Sequence, residues 1–223
     1  KPQEKALARY VKRKKATAAQ RPNKGVCYRL RETPVIDGDA SDGAWAHQPL
    51  YFLNDWRTGA KPKASTSFRM GHDDGFLYAL VRCDDPDAAK IRANCKERDG
   101  AVYLDDCVEL HLTFDPHKGQ RTQILVNSIG TVQDFRNTLN EAGVDVNDLS
   151  WDCDGLLAAA RIDDGGYTVE VGIPLAAIAG APKAGSLFHA NVCRERYSGG
   201  TMPELQAWST TQGAFADGKY FSR

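Results

Sequence analysis

One segment restricts the fold more than any other. In Leu104 to Phe114 (LDDCVELHLTF), Val108, Leu110, Leu112 and Phe114 alternate with Cys107, Glu109, His111 and Thr113. Successive side chains of a strand point to opposite faces, so this period of two builds a strand with one aliphatic and one polar side. The pattern returns at Thr122 to Asn127, where Ile124 and Val126 alternate with Gln123, Leu125 and Asn127. Two adjoining strands of this kind make a sheet that is dry on one face and carries Glu, His, Gln and Asn on the other.

The rest of the chain follows the same plan. From Val26 onward, short apolar runs are broken by Gly, Asp and Pro, which predicts strands near 26–30, 34–37, 64–71, 75–83, 105–114, 121–127, 130–136, 156–162, 166–173, 187–196 and 204–209. Regular turn signals between short runs indicate an all-β antiparallel sandwich. Asp73-Asp74-Gly75 and Asp163-Asp164-Gly165-Gly166 carry hairpin chemistry, with Gly supplying positive φ after an Asp that bonds to its own backbone. Short helical pieces are expected at 41–47, capped by Ser41, and at 174–179, opened by Pro174. The polar stretch 137–150 reads as a long loop.

A chain of 223 residues can bury a sizeable core without staples. No apolar run is long enough to span a bilayer, and no signal peptide is seen, so the chain reads as a mature form or an excised module. Its net charge is zero but unevenly spread: residues 1–24 hold nine Lys or Arg against Glu4 alone. Residues 3–20 read as a basic helix with a short apolar stripe of Leu7, Tyr10 and Val11, and Arg21 to Gly25 as a linker. This divides the chain into a lead-in, 1–25, and a sandwich, 26–223. The acidic body argues against nucleic acid as a partner, and no membrane partner is expected.

The six cysteines (27, 83, 95, 107, 153 and 193) form no CxxC or Cys/His metal spacing, and both disulfides and free thiols remain open. No GxSxG, HExxH or phosphate loop is present, and no carboxylate pair is marked for glycoside hydrolysis, so an enzyme is not expected.

A polar sheet face flanked by aromatic loops suits a sugar ring, whose C–H faces meet aromatic rings while its hydroxyls meet carboxylate and amide groups. Several segments, in order, also resemble one family. Pro34-Val35-Ile36-Asp37-Gly38 followed by Ala44-Trp45, His72-Asp73-Asp74 with Leu77-Tyr78, Asp106 to Leu110, Tyr167 to Pro174, Asn191 with Arg194, and Ala207-Trp208-Ser209 are similar to the motifs of carbohydrate-binding module family 9 and its DOMON-like relatives. The resemblance covers about residues 33–223 and implies a jelly-roll-like β-sandwich. It further implies a non-catalytic module that holds a glycan end, accessory to a larger glycoside hydrolase polypeptide and located outside the cytoplasm, whether secreted, periplasmic or at the cell surface.

By the same resemblance, Tyr103 and Phe215 correspond to the two rings that sandwich the sugar. Glu109 and Asn127 correspond to its hydroxyl ligands, with Leu125 where sugar binders carry Arg, and Gln123 lies on the same polar face. Trp56, in the polar loop Asn54 to Gly59, offers a further platform, whereas Trp45 and Trp208 are expected in the core. Structural calcium in some relatives points to Asp85 and Asp106, at acid-rich strand ends. Two other functions fit the fold. One is a haem-binding electron-transfer domain, although Met70 and His72 share a strand face, too close to clamp a haem from both sides. The other is an interaction or structural sandwich that has lost the sugar site, which Leu125 favours.

Overall fold

The computed structural model describes residues 23–114, 120–140, 145–178, 185–211 and 215. The helix expected at 3–20 lies outside them. Thirteen strands are described: β1 (Tyr28–Arg29), β2 (Tyr51–Phe52), β3 (Asn54–Asp55), β4 (Thr66–His72), β5 (Phe76–Asp84), β6 (Cys107–Thr113), β7 (Arg121–Asn127), β8 (Val132–Leu139), β9 (Asp145–Asp148), β10 (Leu157–Asp163), β11 (Gly166–Pro174), β12 (His189–Arg196) and β13 (Glu204–Ala207). They form two sheets. The first runs β1-β4-β5-β11-β10, with β2 also on β4; the second runs β3-β13-β12-β6-β7-β8-β9. All pairings are antiparallel except β1 with β4. The molecule is the all-β sandwich that its alternation predicts.

The core lies between the sheets and is built by that alternation. Val108, Leu110 and Leu112 of β6 and Ile124 and Val126 of β7 meet Phe68 and Met70 of β4, Ala79 and Val81 of β5, and Val169 and Val171 of β11. Trp208 joins this cluster, its ring edge-on to Phe68 at 5.3 Å. A second apolar layer covers the far side of the first sheet. There Leu30, Ala44 and Trp45 pack on Tyr78 and Leu80, the outward-facing residues of β5.

Several local expectations change. Residues 34–37 form no strand, because their backbone donors turn elsewhere: Val35 N–H to Asp42 at 2.7 Å and Asp37 N–H to Glu170 at 3.1 Å. The piece at 41–47 contracts to a 3₁₀ turn, Gly43–Trp45, preceded by Asp42 and not by Ser41. The piece at 174–179 contracts to a 3₁₀ turn at Leu175–Ala177, with Pro174 at its N-cap. Residues 137–150 are not one loop, since β8 continues into them and β9 forms within them. In the β4–β5 hairpin Asp73 accepts from the N–H groups of Gly75 and Phe76, both at 2.8 Å, without a positive φ at Gly75. Gly166 does adopt one, at 142°. All six cysteines are free thiols.

Candidate functional site

The polar face of the second sheet is assembled by strand register. Glu109 on β6 stands between Cys193 on β12 and Leu125 on β7, while His111 stands between Asn191 and Gln123. Gln123 Nε2 donates to Glu109 Oε2 at 3.0 Å, and His111 Nε2 lies 2.9 Å from the same oxygen. Gln123 is thus brought to Glu109, and both sit on this face with only 4 to 8% of their surface open.

Beyond them lies Glu195, in register with Cys107 and on the same face as Cys193. The Tyr197 hydroxyl donates to its Oε2 at 3.3 Å. Burial, reinforced by the negative charge of Glu109, pushes the Glu195 carboxyl up to about 8. Burial likewise raises the Cys107 and Cys193 thiols well above their usual range. Glu195 and Tyr197 were not singled out from sequence. The available signal was the period of two through Asn191, Cys193 and Glu195.

Asn127 has a different place from the one expected. Its amide donates to the Cys95 carbonyl at 2.8 Å and to Asp105 Oδ2 at 3.0 Å, and its oxygen accepts from Thr131 N–H at 2.8 Å. Fully buried and so engaged, it has no group turned toward a ligand. What it does is hold the segment that carries Tyr103. Asp105 accepts from the N–H groups of Asn94 and Cys95 at 2.9 and 2.8 Å, and Asp106 from those of Arg92 and Tyr197 at 2.8 and 2.9 Å. Val102 of the 3₁₀ turn Val102–Leu104 is thereby pressed onto Leu125, with Cys107 and Phe135 around it. Leu125 is the floor of this small apolar cluster. Next to Val102, the Tyr103 side chain stays exposed, and its carbonyl accepts from Tyr197 Oη at 3.2 Å.

Trp56 and Phe215 stand on the opposite side of the Glu109–Glu195 pair. Trp56 N–H donates to the Leu205 carbonyl of β13 at 3.2 Å, and β12 separates β13 from β6. The Phe215 ring meets the Trp56 ring edge-on at 5.7 Å, and the Arg57 guanidinium lies over the Trp56 ring at 4.6 Å. Both rings are half-buried. Phe215 therefore has a ring partner within the protein, which the sequence did not foretell.

The residues expected to hold calcium do not fit an ion. Asp85 accepts from Arg194 at 2.9 Å, from Arg196 at 2.9 and 3.0 Å, and from Ser198 Oγ at 2.6 Å. Two guanidinium groups already supply the positive charge a calcium would bring. Burial acts to raise the Asp85 carboxyl, but the hydrogen bonds from Arg196 and Ser198 bring it below the usual range. The oxygens of Asp106 are taken by backbone N–H groups. Among the described residues, Asp99, Asp134 and Asp152 bring three carboxylates within 4.8 Å of one another, but the Arg98 guanidinium is hydrogen-bonded to two of them. Met70, weighed as a haem ligand, is buried in the core.

Three solved structures share the architecture. A candidate carbohydrate-binding protein from Bacteroides uniformis superposes with a TM-score of 0.67 at 16% identity, over 91% of this chain and 98% of its own. A family 9 carbohydrate-binding module from Caldicellulosiruptor kristjanssonii, in complex with glucose, gives 0.59 at 19% identity over 87% and 91% of the two chains. The same organism's family 9 module in complex with cellotriose gives 0.58 at 18% identity over 88% and 90%. No curated protein matches the chain by sequence. The model of the carbohydrate family 9 binding domain-like family matches residues 36–223, from the Ile36-Asp37-Gly38 corner to the last residue, and the chain belongs to that family.

Proposed function

We propose that this chain is a non-catalytic carbohydrate-binding module that takes a glycan or oligosaccharide end at the outer face of the second sheet. The observation that carries this reading is the Gln123–Glu109–His111 group, with the exposed Tyr103 next to Val102, which packs on Leu125, the register partner of Glu109. A carboxylate and an amide offer hydrogen bonds to hydroxyls, and an exposed ring offers a face for C–H groups. Family membership supports the reading, as does the likeness of fold to modules crystallised with glucose and cellotriose. Tyr103, Glu109, Gln123, Phe215 and Trp56 are the proposed contacts. Asn127 supports from behind, and the carboxylates of Asp85 and Asp106 are taken up by the protein's own donors. The module serves a glycoside-active polypeptide outside the cytoplasm, where polymeric glycans are met.

A second reading, a sandwich that keeps the fold for structure or interaction alone, is favoured by one specific observation. The polar floor is nearly closed to solvent, with Glu109 4% and His111 0% exposed. Calorimetric titration with glucose, cellobiose and cellotriose separates the two. Saturable binding that Tyr103→Ala weakens, with the melting temperature unchanged, is the expected result. No heat with any of the three sugars leaves the second reading.

A further inference from the structure

We propose that the cleft between the amino-terminal corner and the outer face of the first sheet is a second sugar site, one that takes a hexuronate and holds its carboxylate with Arg69. The cleft is on the other sheet from Glu109 and Gln123, so it stands or falls apart from the site on that face.

The cleft has a volume of about 410 Å³, within the range of small-molecule sites. Strand register builds its floor. Ser67 and Arg69 of β4 stand opposite Arg82 and Leu80 of β5, and all four line the cleft. Phe68 and Met70, and Ala79 and Val81, with which they alternate, fill the core on the other face. The corner supplies a wall through Ser41 and Trp45, and Leu50, just before β2, also borders the space. The bond of Trp45 to Glu170 at 2.8 Å ties this wall to β11 before any ligand arrives, which spares the binding step an ordering cost.

Three charged side chains line the cleft, and two are spent on partners within the protein. Arg82 meets Asp163 at 2.5 and 3.0 Å and Asp84 at 3.1 Å. Asp42 accepts from the Val35 N–H at 2.7 Å. Arg69 differs. Its Nη1 donates to the Gln48 carbonyl, and among the described residues no carboxylate pairs with it. A guanidinium carries five N–H donors, so one neutral carbonyl leaves most of this half-buried group to a ligand. Its planar fork matches a carboxylate through two parallel charge-assisted bonds. Leu50 and Leu80 offer apolar surface for ring C–H groups, and Ser41 and Ser67 bring hydroxyls to the same space. A small carboxylate uses the guanidinium alone, whereas a hexuronate uses the apolar and hydroxyl groups as well.

The test is an amide NMR titration of the intact chain with D-glucuronate, D-glucose and acetate at one ionic strength. Glucuronate is expected to shift the amides of residues 40–46 and 67–69 saturably, and to bind there about tenfold more tightly than glucose or acetate. Arg69→Gln should weaken this binding about tenfold. Ser67→Glu, which sets a carboxylate two residues from Arg69 on the same strand face, should abolish it and checks the site independently should the first variant melt early. Tyr103→Ala should leave it unchanged. Acetate binding as tightly as glucuronate, or glucuronate shifts confined to the Glu109 face, overturns the proposal and leaves the sugar reading of that face standing. Glucuronate shifts in the cleft, with no sugar reaching the Glu109 face, sustain the proposal and overturn that reading. No shift in the cleft with any probe overturns the proposal.

Discussion

The indole Nε1 of Trp45 donates to Glu170 Oε1 at 2.8 Å, joining the amino-terminal corner to the middle of β11. The other carboxylate oxygen accepts from the N–H groups of Asp37 and Gly38 at 3.1 and 3.0 Å. One fully buried carboxylate thus gathers the Ile36-Asp37-Gly38 corner and Trp45 onto the outer face of the first sheet. Gly38 has φ of 84°, and a Cβ there would lie 2.8 Å from the Ala160 backbone, so only glycine passes. Trp45→Phe keeps most of the buried ring and deletes the donor. It should cost about 1–3 kcal/mol, the penalty for an unsatisfied buried acceptor, read by urea unfolding. An unchanged midpoint would show that the indole hydrogen bond contributes nothing.

Glu195 makes stability depend on pH in a predictable sense. Its folded carboxyl, pushed up to about 8 by burial and by Glu109, binds a proton that the unfolded chain releases near the ordinary Glu value. Between those values the native state holds the extra proton, so stability falls as pH rises and levels off above about 8. Thermal melts across this range should show the decline. Glu195→Gln, which imitates the protonated carboxyl, should flatten it.

Asp85 sits between Arg194 and Arg196, and the side chains of Asp85 and Arg194 are wholly shielded from solvent. Asp85→Ala leaves a guanidinium buried without its counter-charge and should cost about 3–5 kcal/mol in chemical unfolding. A calcium chelator should leave the melting temperature of the unaltered protein where it is. A fall on chelation would mean that an ion, and not the arginines, satisfies this carboxylate.

Tyr103 and Asn127 should respond differently to truncation. Tyr103 is exposed, so Tyr103→Ala should weaken sugar binding about tenfold, the worth of a stacked ring, and leave the melt unchanged. Asn127→Ala removes the anchors to Cys95 and Asp105 and should lower stability by about 2 kcal/mol, loosening the Tyr103 segment as a consequence. An Asn127→Ala protein with an unaltered melt and no affinity would restore Asn127 as a direct ligand.

The two kinds of statement made from the sequence fared differently, and the reason is physical. Strands with one wet and one dry face announce themselves, and β7 forms where the alternation predicts it, at Arg121–Asn127. β9 gives no such signal, because its Val146, Asn147 and Asp148 are all exposed. The polar face around Glu109 and Gln123 was legible for the same reason as the strands. Asn127 shares that alternation and looks like an equal member of the face. Only the return of segment 94–105 over β7 decides that its amide is consumed internally.

The amino-acid order alone determined an all-β sandwich, its polar sheet face and the motifs of its family. These depend on the period of two along each strand and on turn chemistry, both local properties of the chain. Which charges meet was decided only by the tertiary structure. Asp85 finds its arginines more than a hundred residues away, Glu170 finds Trp45, and Glu109 finds Glu195, through strand order and register. A carboxylate at a strand end has the same local sequence whether it awaits an ion or is already paired. Its role is settled by what the fold packs against it, because the electrostatic free energy of a buried charge is fixed by its nearest partners.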